Sequence, residues 1–165
     1  MLNTSVTGGC ACGGLRYELM AEPMFVHACH CLLCQRQTGG AFIIHAMIET
    51  DRLRVLSSAP YSHGLPTGSG GSHTIYRCPD CQVAVFSDYG NQPWERLVKV
   101  GTLDDPSRLK PNAHIFIRSK LPWISLPPDV PSFDEFYDLP SLWPHSSYKR
   151  KLAAQESYER LHKAQ

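Results

Sequence analysis

The cysteines of this chain fall in three short clusters, and their spacing constrains the fold more than any other feature. The clusters are Cys10/Cys12, Cys29/Cys31/Cys34 and Cys78/Cys81. Cysteines two or three residues apart are typical ligands of a tetrahedral soft metal such as zinc. In an extended segment alternate side chains lie on one face, so a CxC pair presents both sulfurs together. The CxxC spacing of the last pair is that of a zinc knuckle, a tight turn that needs a partner pair.

A total of seven thiols predicts two metal sites of different kinds. A closed structural zinc site takes four protein ligands, whereas a reactive site commonly takes three and keeps one position open. The three-cysteine cluster is contiguous and can form the open site alone; it consists of Cys29, Cys31 and Cys34. The four-cysteine cluster closes the structural site across the fold and consists of Cys10, Cys12, Cys78 and Cys81. We therefore expect two zinc sites, of which the second can be partly occupied.

Three other interpretations of the cysteines stay open. A disulfide framework is disfavoured by the odd count and by the lack of a secretory signature. Isolated buried thiols are disfavoured because the cysteines cluster three times. Iron–sulfur clusters use the same ligand type, although the chain has no local run of four cysteines of the ferredoxin kind.

Length and charge narrow the function classes. A chain of 165 residues is long enough for one domain with a tail. A net charge of +1 provides no broad basic field for nucleic acid. No segment approaches the roughly 18 to 20 apolar residues of a membrane span, and the start lacks a basic stretch followed by an apolar run. We therefore expect a soluble, cytoplasmic protein whose thiols stay reduced and available for metal.

Residues 14–118 are predicted to form short strands separated by turns. Runs of β-branched and aromatic residues are bounded by Gly, Pro, Asp or Ser, as in a mainly β fold. The predicted strands cover residues 14–20, 25–31, 42–48, 53–56, 73–76, 83–87, 95–100 and 114–118. The fifth and sixth of these form a hairpin whose tip is the Cys78/Cys81 knuckle.

The C-terminal part has a different composition, rich in proline. Prolines spread through residues 126–145 exclude a regular helix or central strand, and the aromatic residues there favour an arm docked on the sheet over a free linker. Residues 146–165 are predicted to be a helix with a thin apolar stripe, either packed on a second subunit in a homodimer or partly frayed. Its basic run at 149–151 is interpreted as a solvated face. The chain thus divides into a domain at 1–125, an arm and a helix.

Several motifs in a fixed order resemble a known family. They are Gly9-Cys10-Ala-Cys12-Gly13-Gly14-Leu-Arg16-Tyr17, Cys29-His30-Cys31-Leu-Leu-Cys34, Gly39-Gly40-Ala41-Phe42, Arg77-Cys78-Pro-Asp-Cys81, Gly101-Thr-Leu-Asp-Asp-Pro106 and Pro122-Trp123. Over residues 6–125 the chain resembles the glutathione-dependent formaldehyde-activating (GFA) family, also called the centromere-protein-V domain. The resemblance implies an Mss4-like β fold built around zinc. It also implies that the four-cysteine cluster holds a structural zinc and the three-cysteine cluster a catalytic one, which agrees with the division reached by counting.

Two residues depart from the family's usual pattern. Gln82 follows Cys81 where the family usually has glycine, and a non-glycine residue at positive φ there would cost on the order of 1 kcal/mol. Gln35 follows Cys34 where the family often has arginine, a side chain that could bind a substrate carboxylate. A neutral amide cannot replace that charge, so Arg36 is the candidate anion contact.

The resemblance, together with an open three-thiolate zinc site, implies a reaction. Zinc with one open position can ionise an incoming thiol near neutral pH, and a thiolate beside an aldehyde adds to it to form a hemithioacetal. The hypothesis is a carbon–sulfur lyase acting on a thiol–aldehyde adduct such as S-(hydroxymethyl)glutathione, formed from glutathione and formaldehyde. His30 is interpreted as a proton carrier, a hydrogen-bond donor to a metal ligand, a substrate contact or a satisfied polar residue. His45 and His114 are interpreted as packed or surface histidines.

The rival hypothesis is a zinc-stabilised binding module without turnover. In that case the three-cysteine cluster is a second structural site or holds no metal, and the arm and helix carry partner contacts. A third hypothesis, nucleic-acid binding of the zinc-finger type, has less support, because basic residues neither cluster nor interleave with aromatic residues around the knuckle.

Overall fold

The structure is a computed structural model that describes residues 6–67 and 70–162. Within these ranges the chain forms ten strands and three α-helices. The strands are β1 Val6–Gly9, β2 Arg16–Leu19, β3 Phe25–Cys29, β4 Ile43–Glu49, β5 Leu53–Val55, β6 Tyr61–Pro66, β7 Ser72–Arg77, β8 Ala84–Tyr89, β9 Glu95–Lys99 and β10 Ala113–Ile115. The helices are α1 Leu32–Thr38, α2 Leu139–Leu142 and α3 His145–His162. The prediction of a mainly β fold with a C-terminal arm and helix is confirmed.

The strands form two sheets. A three-stranded sheet has the order β1-β2-β5, and a seven-stranded sheet has the order β10-β3-β4-β9-β8-β7-β6. All neighbours pair antiparallel except β10 and β3, which are parallel. The small sheet packs on one face of the large one through an apolar core that includes Leu15, Tyr17, Ile48, Phe86 and Val98.

The opposite face of the large sheet is unusually polar for a buried surface. Because side chains alternate along a strand, the residues between the core positions point to this second face. Its buried polar members are His27, His45, Glu49, His73, Ser87, Glu95 and Lys99. Apolar residues on the same face, among them Phe25, Cys29, Ile43 and Met47, form a second core with the C-terminal arm.

The Pro-rich arm is docked on this second core. Its main chain extends the sheet edge at β10: the His114 N–H donates to the Pro131 carbonyl at 2.8 Å, and the Phe133 N–H donates to the His114 carbonyl at 2.9 Å. The Trp143 ring stacks on Phe25 with centroids 5.2 Å apart. The arm is therefore part of the fold, as the aromatic residues within it predict.

Helix α3 buries no residue completely and is held by ion pairs. The Arg150 guanidinium binds both carboxylate oxygens of Glu49, at 2.7 and 2.6 Å. The Lys151 ammonium binds Glu95 at 2.7 Å. The interpretation of the basic run as a solvated face holds for the exposed Lys149 and is wrong for Arg150 and Lys151, because the sheet presents two buried carboxylates whose charges need partners.

The predicted strands match observed ones, with shifts of one to three residues at their ends. Strands β1 and β6 and helices α1 and α2 were not predicted. No described helix combines the length and the apolar composition that crossing a membrane requires. The predicted division into a domain, an arm and a helix, with boundaries at residues 125 and 145, stays a prediction. Residues 1–5 of the domain and 163–165 of the helix lie outside the described residues.

Candidate metal centres

The four-cysteine cluster joins the two sheets. Cys10 and Cys12 lie between β1 and β2, and Cys78 and Cys81 lie between β7 and β8. All four sulfurs lie within 4.8 Å of one another. Cys10 Sγ is 3.4 Å from Cys12 Sγ, and Cys12 Sγ is 3.7 Å from Cys78 Sγ. Four Zn–S bonds of about 2.3 Å in tetrahedral geometry place sulfurs roughly 3.8 Å apart, so the donor set fits zinc.

Backbone groups around this cluster support thiolate sulfur. The Leu15 N–H donates to Cys10 Sγ at 3.2 Å. Burial opposes ionisation of Cys10, but the Leu15 amide and the thiols of its cluster neighbours lower its pKa to about 6. The Val83 amide lowers the pKa of Cys81. Gly13 has a φ of 78°, and a Cβ on Gly14 would lie 3.4 Å from Cys12 Sγ, so the two glycines keep the turn close to the metal position.

The knuckle turn adopts the strained conformation expected at Gln82. The residue has a φ of 60°, in the left-handed region that glycine tolerates best. Its side-chain amide donates to the Pro79 carbonyl at 2.7 Å, and its own carbonyl accepts from Arg77 Nη1 at 3.0 Å. These bonds hold the non-glycine residue in the turn.

The three-cysteine cluster forms where β3 meets α1. Cys29 ends β3, Cys31 is the N-cap residue of α1, and Cys34 lies in its first turn. Their sulfurs also lie within 4.8 Å of one another. Cys31 keeps the extended backbone expected of the Cys29/Cys31 pair, and the helix that starts after it brings Cys34 to the other two: the Cys34 N–H donates to Cys31 Sγ at 3.4 Å. Three converging thiols from six residues fit a zinc ion with one position left open.

The three thiols of this cluster ionise unequally. Hydrogen bonds from the thiols of Cys29 and Cys34, and from the Cys34 amide, lower the pKa of Cys31. The hydrogen bond to Cys31 and burial raise the pKa of Cys29 to about 12. The pKa of Cys34 is raised by its neighbouring thiols and by burial. The cluster thus favours one thiolate, hydrogen-bonded by the other two thiols, and a bound cation would stabilise this negative charge.

Two buried histidines lie beside the three-cysteine cluster. The Nε2 atom of His45 is 4.0 Å from Cys34 Sγ, and burial lowers the pKa of His45 well below its ordinary value, so the ring is neutral. His30 is fully buried and its Nε2 atom is 3.0 Å from His114 Nδ1. Burial also lowers the pKa of His30, to about 4. The role predicted for His30 as a substrate contact stays a prediction, since the structure places it against His114.

Gln35 and Arg36 have different surroundings. The Gln35 amide donates to the carbonyls of His30 and Ser119, at 2.8 and 2.9 Å, and so fixes the cysteine loop to the segment after β10. Gln35 is thus a structural residue here. Arg36 is exposed on α1, and its role as an anion contact stays a prediction.

A cleft of about 520 Å³ is lined by residues that neighbour both clusters in the chain, among them Thr38 after Cys34 and Gln82 after Cys81. Its walls come from α1, the start of β4, the end of β7, the knuckle, β9 and the turn after it. Two cations line it, Arg77 and Lys99. Neither was predicted as a site residue. The sequence indicates only that residue 99 belongs to a predicted strand. The position of Lys99 opposite His45 follows from the pairing of β9 with β4, which the sequence alone does not show.

The fold and its clusters define a class of protein: a mainly β, two-sheet domain with two cysteine groups that could each hold zinc. The family model described as "Glutathione-dependent formaldehyde-activating enzyme" matches residues 5–119, more than half of the chain. The chain belongs to this family, and its β arrangement is the Mss4-like fold that the resemblance implies.

The chain is also similar to a protein of known structure. A crystal structure of a Rhodobacter sphaeroides protein, a Northeast Structural Genomics target, is 20% identical and covers 76% of this chain and 98% of its own, with a TM-score of 0.47. No curated protein matches the chain.

Proposed function

We propose that this protein is a zinc-dependent carbon–sulfur lyase that forms or cleaves a thiol–aldehyde adduct such as S-(hydroxymethyl)glutathione. The observation that carries the proposal is the convergence of three thiols from one short segment beside a cleft, in a chain of the formaldehyde-activating family. In the forward direction the thiol sulfur bonds to the aldehyde carbon, and the thiol proton ends on the former carbonyl oxygen. The reverse reaction breaks the same bond.

The three cysteines Cys29, Cys31 and Cys34 would hold the catalytic ion, and the four-cysteine cluster would hold a structural one. A zinc ion held by these thiolates would supply Lewis acidity that lowers the pKa of a bound thiol. The chain itself keeps the sulfurs in place through the first turn of α1, and it shields two of them from water, since Cys29 and Cys34 are buried.

The neutral ring of His45 has a supporting role in this proposal. At 4.0 Å from Cys34 Sγ, its Nε2 can carry the proton and donate to the thiolate. Such a contact orients a ligand sulfur and moderates its charge, as outer partners of metal ligands commonly do.

The proposal is tested by zinc analysis and by exchange spectroscopy. The wild type is expected to contain two zinc ions per chain and to accelerate exchange between free ¹³C-formaldehyde and its glutathione adduct over the buffer rate. Cys31→Ser is expected to retain one zinc ion, to remain folded and to lose the acceleration. A wild type with two zinc ions that leaves the exchange rate at the buffer value, with glutathione and with other small thiols, would overturn the lyase and favour the binding module.

A further inference from the structure

Lys99 is a buried cation without a partner. It ends β9 and is 6% exposed. Across residues 6–67 and 70–162, its ammonium group takes part in no hydrogen bond and no ion pair, whereas Lys151 of α3 binds Glu95 on the same sheet face as Lys99. A charge on a buried side chain is unfavourable without a partner, and Lys99 lines the cleft, where an anion can reach it. Burial, and to a smaller extent Arg77, lower the pKa of Lys99 to about 8.

The cleft that Lys99 lines is suited to an anion. Arg77 is its second cation, and one of its guanidinium nitrogens already binds the Gln82 carbonyl at 3.0 Å, which fixes the side chain. The described residues that line the cleft include no Asp or Glu. The amide of Gln37 and the hydroxyl of Thr38 add polar groups, and a volume of about 520 Å³ is in the range of small-molecule sites.

The cleft is adjacent to the three-cysteine cluster. Gln37 and Thr38 follow Cys34 by about one helical turn of α1. Ile43, which lines the cleft, pairs with Cys29 in the sheet. Lys99 pairs with His45, the residue whose ring is next to Cys34 Sγ. The cleft is therefore next to the strand positions and the helix that carry the three cysteines.

We propose that this cleft is an anion subsite in which Lys99 and Arg77 bind a carboxylate of the thiol substrate, so that the protein selects acidic thiols. The inference rests on the proposed function and deepens it, since it adds a specificity site to the same reaction. A carboxylate would supply the partner that the ammonium of Lys99 lacks, and a guanidinium binds carboxylates with fixed geometry. Arg36, the anion contact predicted from sequence, does not line the cleft.

The test compares glutathione with its dimethyl ester, in which both carboxylates are masked. Binding to the zinc-loaded protein is measured by isothermal titration calorimetry. The wild type is expected to bind the acid about 10-fold more tightly than the ester, as for one charge-assisted contact. Arg77→Gln and Lys99→Met are expected to reduce this ratio to below about threefold, whereas Arg77→Lys keeps the charge and retains most of it. Zinc content and thermal unfolding of each variant establish that it is folded.

Exposed cations provide a matched control and a competing variant. Lys110→Met removes one positive charge outside the cleft and is the control, which is expected to keep the wild-type ratio. Arg36→Gln is the competing variant: it tests the anion contact predicted from sequence, which lies outside the cleft. Three results would overturn the subsite: a wild type that does not distinguish acid from ester, cleft variants that keep the wild-type ratio, or a loss of the ratio in Arg36→Gln alone.

Cys31→Ser separates this inference from the proposed function. If it binds glutathione as tightly as the wild type and keeps the preference for the acid, the three-cysteine cluster has no part in thiol binding, and the lyase proposal fails while the subsite stands. If the cysteine variant loses affinity but the cleft variants do not lose the preference, the subsite fails alone.

Discussion

At the scale of single residues, the treatment of buried charge distinguishes structural from functional side chains. Arg150 and Lys151 each meet a buried carboxylate, so their charges are compensated within the fold. Lys99 meets none, although it lies on the same sheet face. A residue that costs stability without an internal partner is a typical component of a ligand site.

Replacing Lys99 with methionine is expected to stabilise the protein. The pKa of Lys99 is lowered from 10.5 to about 8, chiefly by burial and by Arg77, against a smaller raising effect of Cys34; the nearby histidines His45 and His73 are neutral rings with lowered pKa values. The unfolded chain therefore binds the proton more tightly, and the charge opposes folding below pH 8. Lys99→Met should raise the free energy of unfolding by about 3 kcal/mol at pH 7.

The pH dependence provides the check on this prediction. The gain should be full below pH 8 and should shrink as the pH rises from about 8 to 10.5, where the folded wild type has already lost the proton. Urea unfolding of both proteins at several pH values measures it. A gain that does not change with pH would assign the effect to packing, and a loss of stability would contradict the prediction.

Gln82 is the residue at which local strain is expected to be measurable. Its φ of 60° favours glycine and strongly disfavours a β-branched side chain. Gln82→Val should destabilise the zinc-loaded protein by about 1–2 kcal/mol. Gln82→Gly should stay within about 0.5 kcal/mol of the wild type, because relief of strain offsets the lost bond to Pro79 and the greater freedom of the unfolded chain. Equal stabilities of the valine and glycine variants would show that the turn is not strained.

At the scale of elements, the strands with alternating or β-branched residues could be predicted, and the exceptions have identifiable causes. Strand β1 contains two glycines, and β6 is an exposed edge strand with glycine and proline, so neither carries a periodic apolar signal. Helix α1 has seven residues and a cysteine as its N-cap. A helix that short shows no clear apolar period.

The metal ligands could be predicted from the sequence, whereas the cleft could not, because it depends on contacts between distant segments. Ligand spacing is local, so the clusters are visible in the sequence. The approach of Lys99 to the three-cysteine cluster depends on the pairing of β9 with β4, which is a property of register between distant segments. The attachment of α3 likewise depends on Glu49 and Glu95, which lie side by side only in the folded sheet.

Helix α3 should depend on the Arg150–Glu49 ion pair. The Glu49 side chain is 10% exposed and that of Arg150 is 34% exposed, so solvent screens the pair only in part. Arg150→Met leaves the buried carboxylate without its guanidinium and should lower stability by about 2 kcal/mol. Arg160→Met, an exposed position on the same helix, should change it by less than about 0.5 kcal/mol.

The double variant identifies the mechanism of that loss. Adding Glu49→Gln to Arg150→Met removes the uncompensated charge and should restore about half of the lost stability. Thermal unfolding and hydrogen exchange of the α3 amides are the measurements. An additive loss in the double variant would show that packing of the helix, and not the ion pair, holds it to the sheet.

At the scale of the whole molecule, the two cysteine clusters differ in what they connect. The four-cysteine cluster links residues far apart in the chain, since Cys12 and Cys78 are separated by 66 positions, and it joins the small sheet to the large one. The three-cysteine cluster closes only a short loop at the start of α1. A cross-link over a long loop removes more freedom from the unfolded chain, about 4 kcal/mol for a covalent link of this size.

Ligand removal at the two clusters should therefore have unequal effects on the fold. Cys12→Ser is expected to lose one zinc ion, to lower the melting temperature by 10 °C or more and to expose the amides of β1 and β2 to hydrogen exchange, because the two sheets lose their connection. Cys31→Ser is expected to lose one zinc ion with a smaller shift and exchange limited to α1, since the arm and the apolar core still cover that face. Zinc analysis, calorimetry and exchange measured by mass spectrometry compare the two. If Cys12→Ser keeps the wild-type zinc content and melting temperature, the four-cysteine cluster does not hold the sheets together.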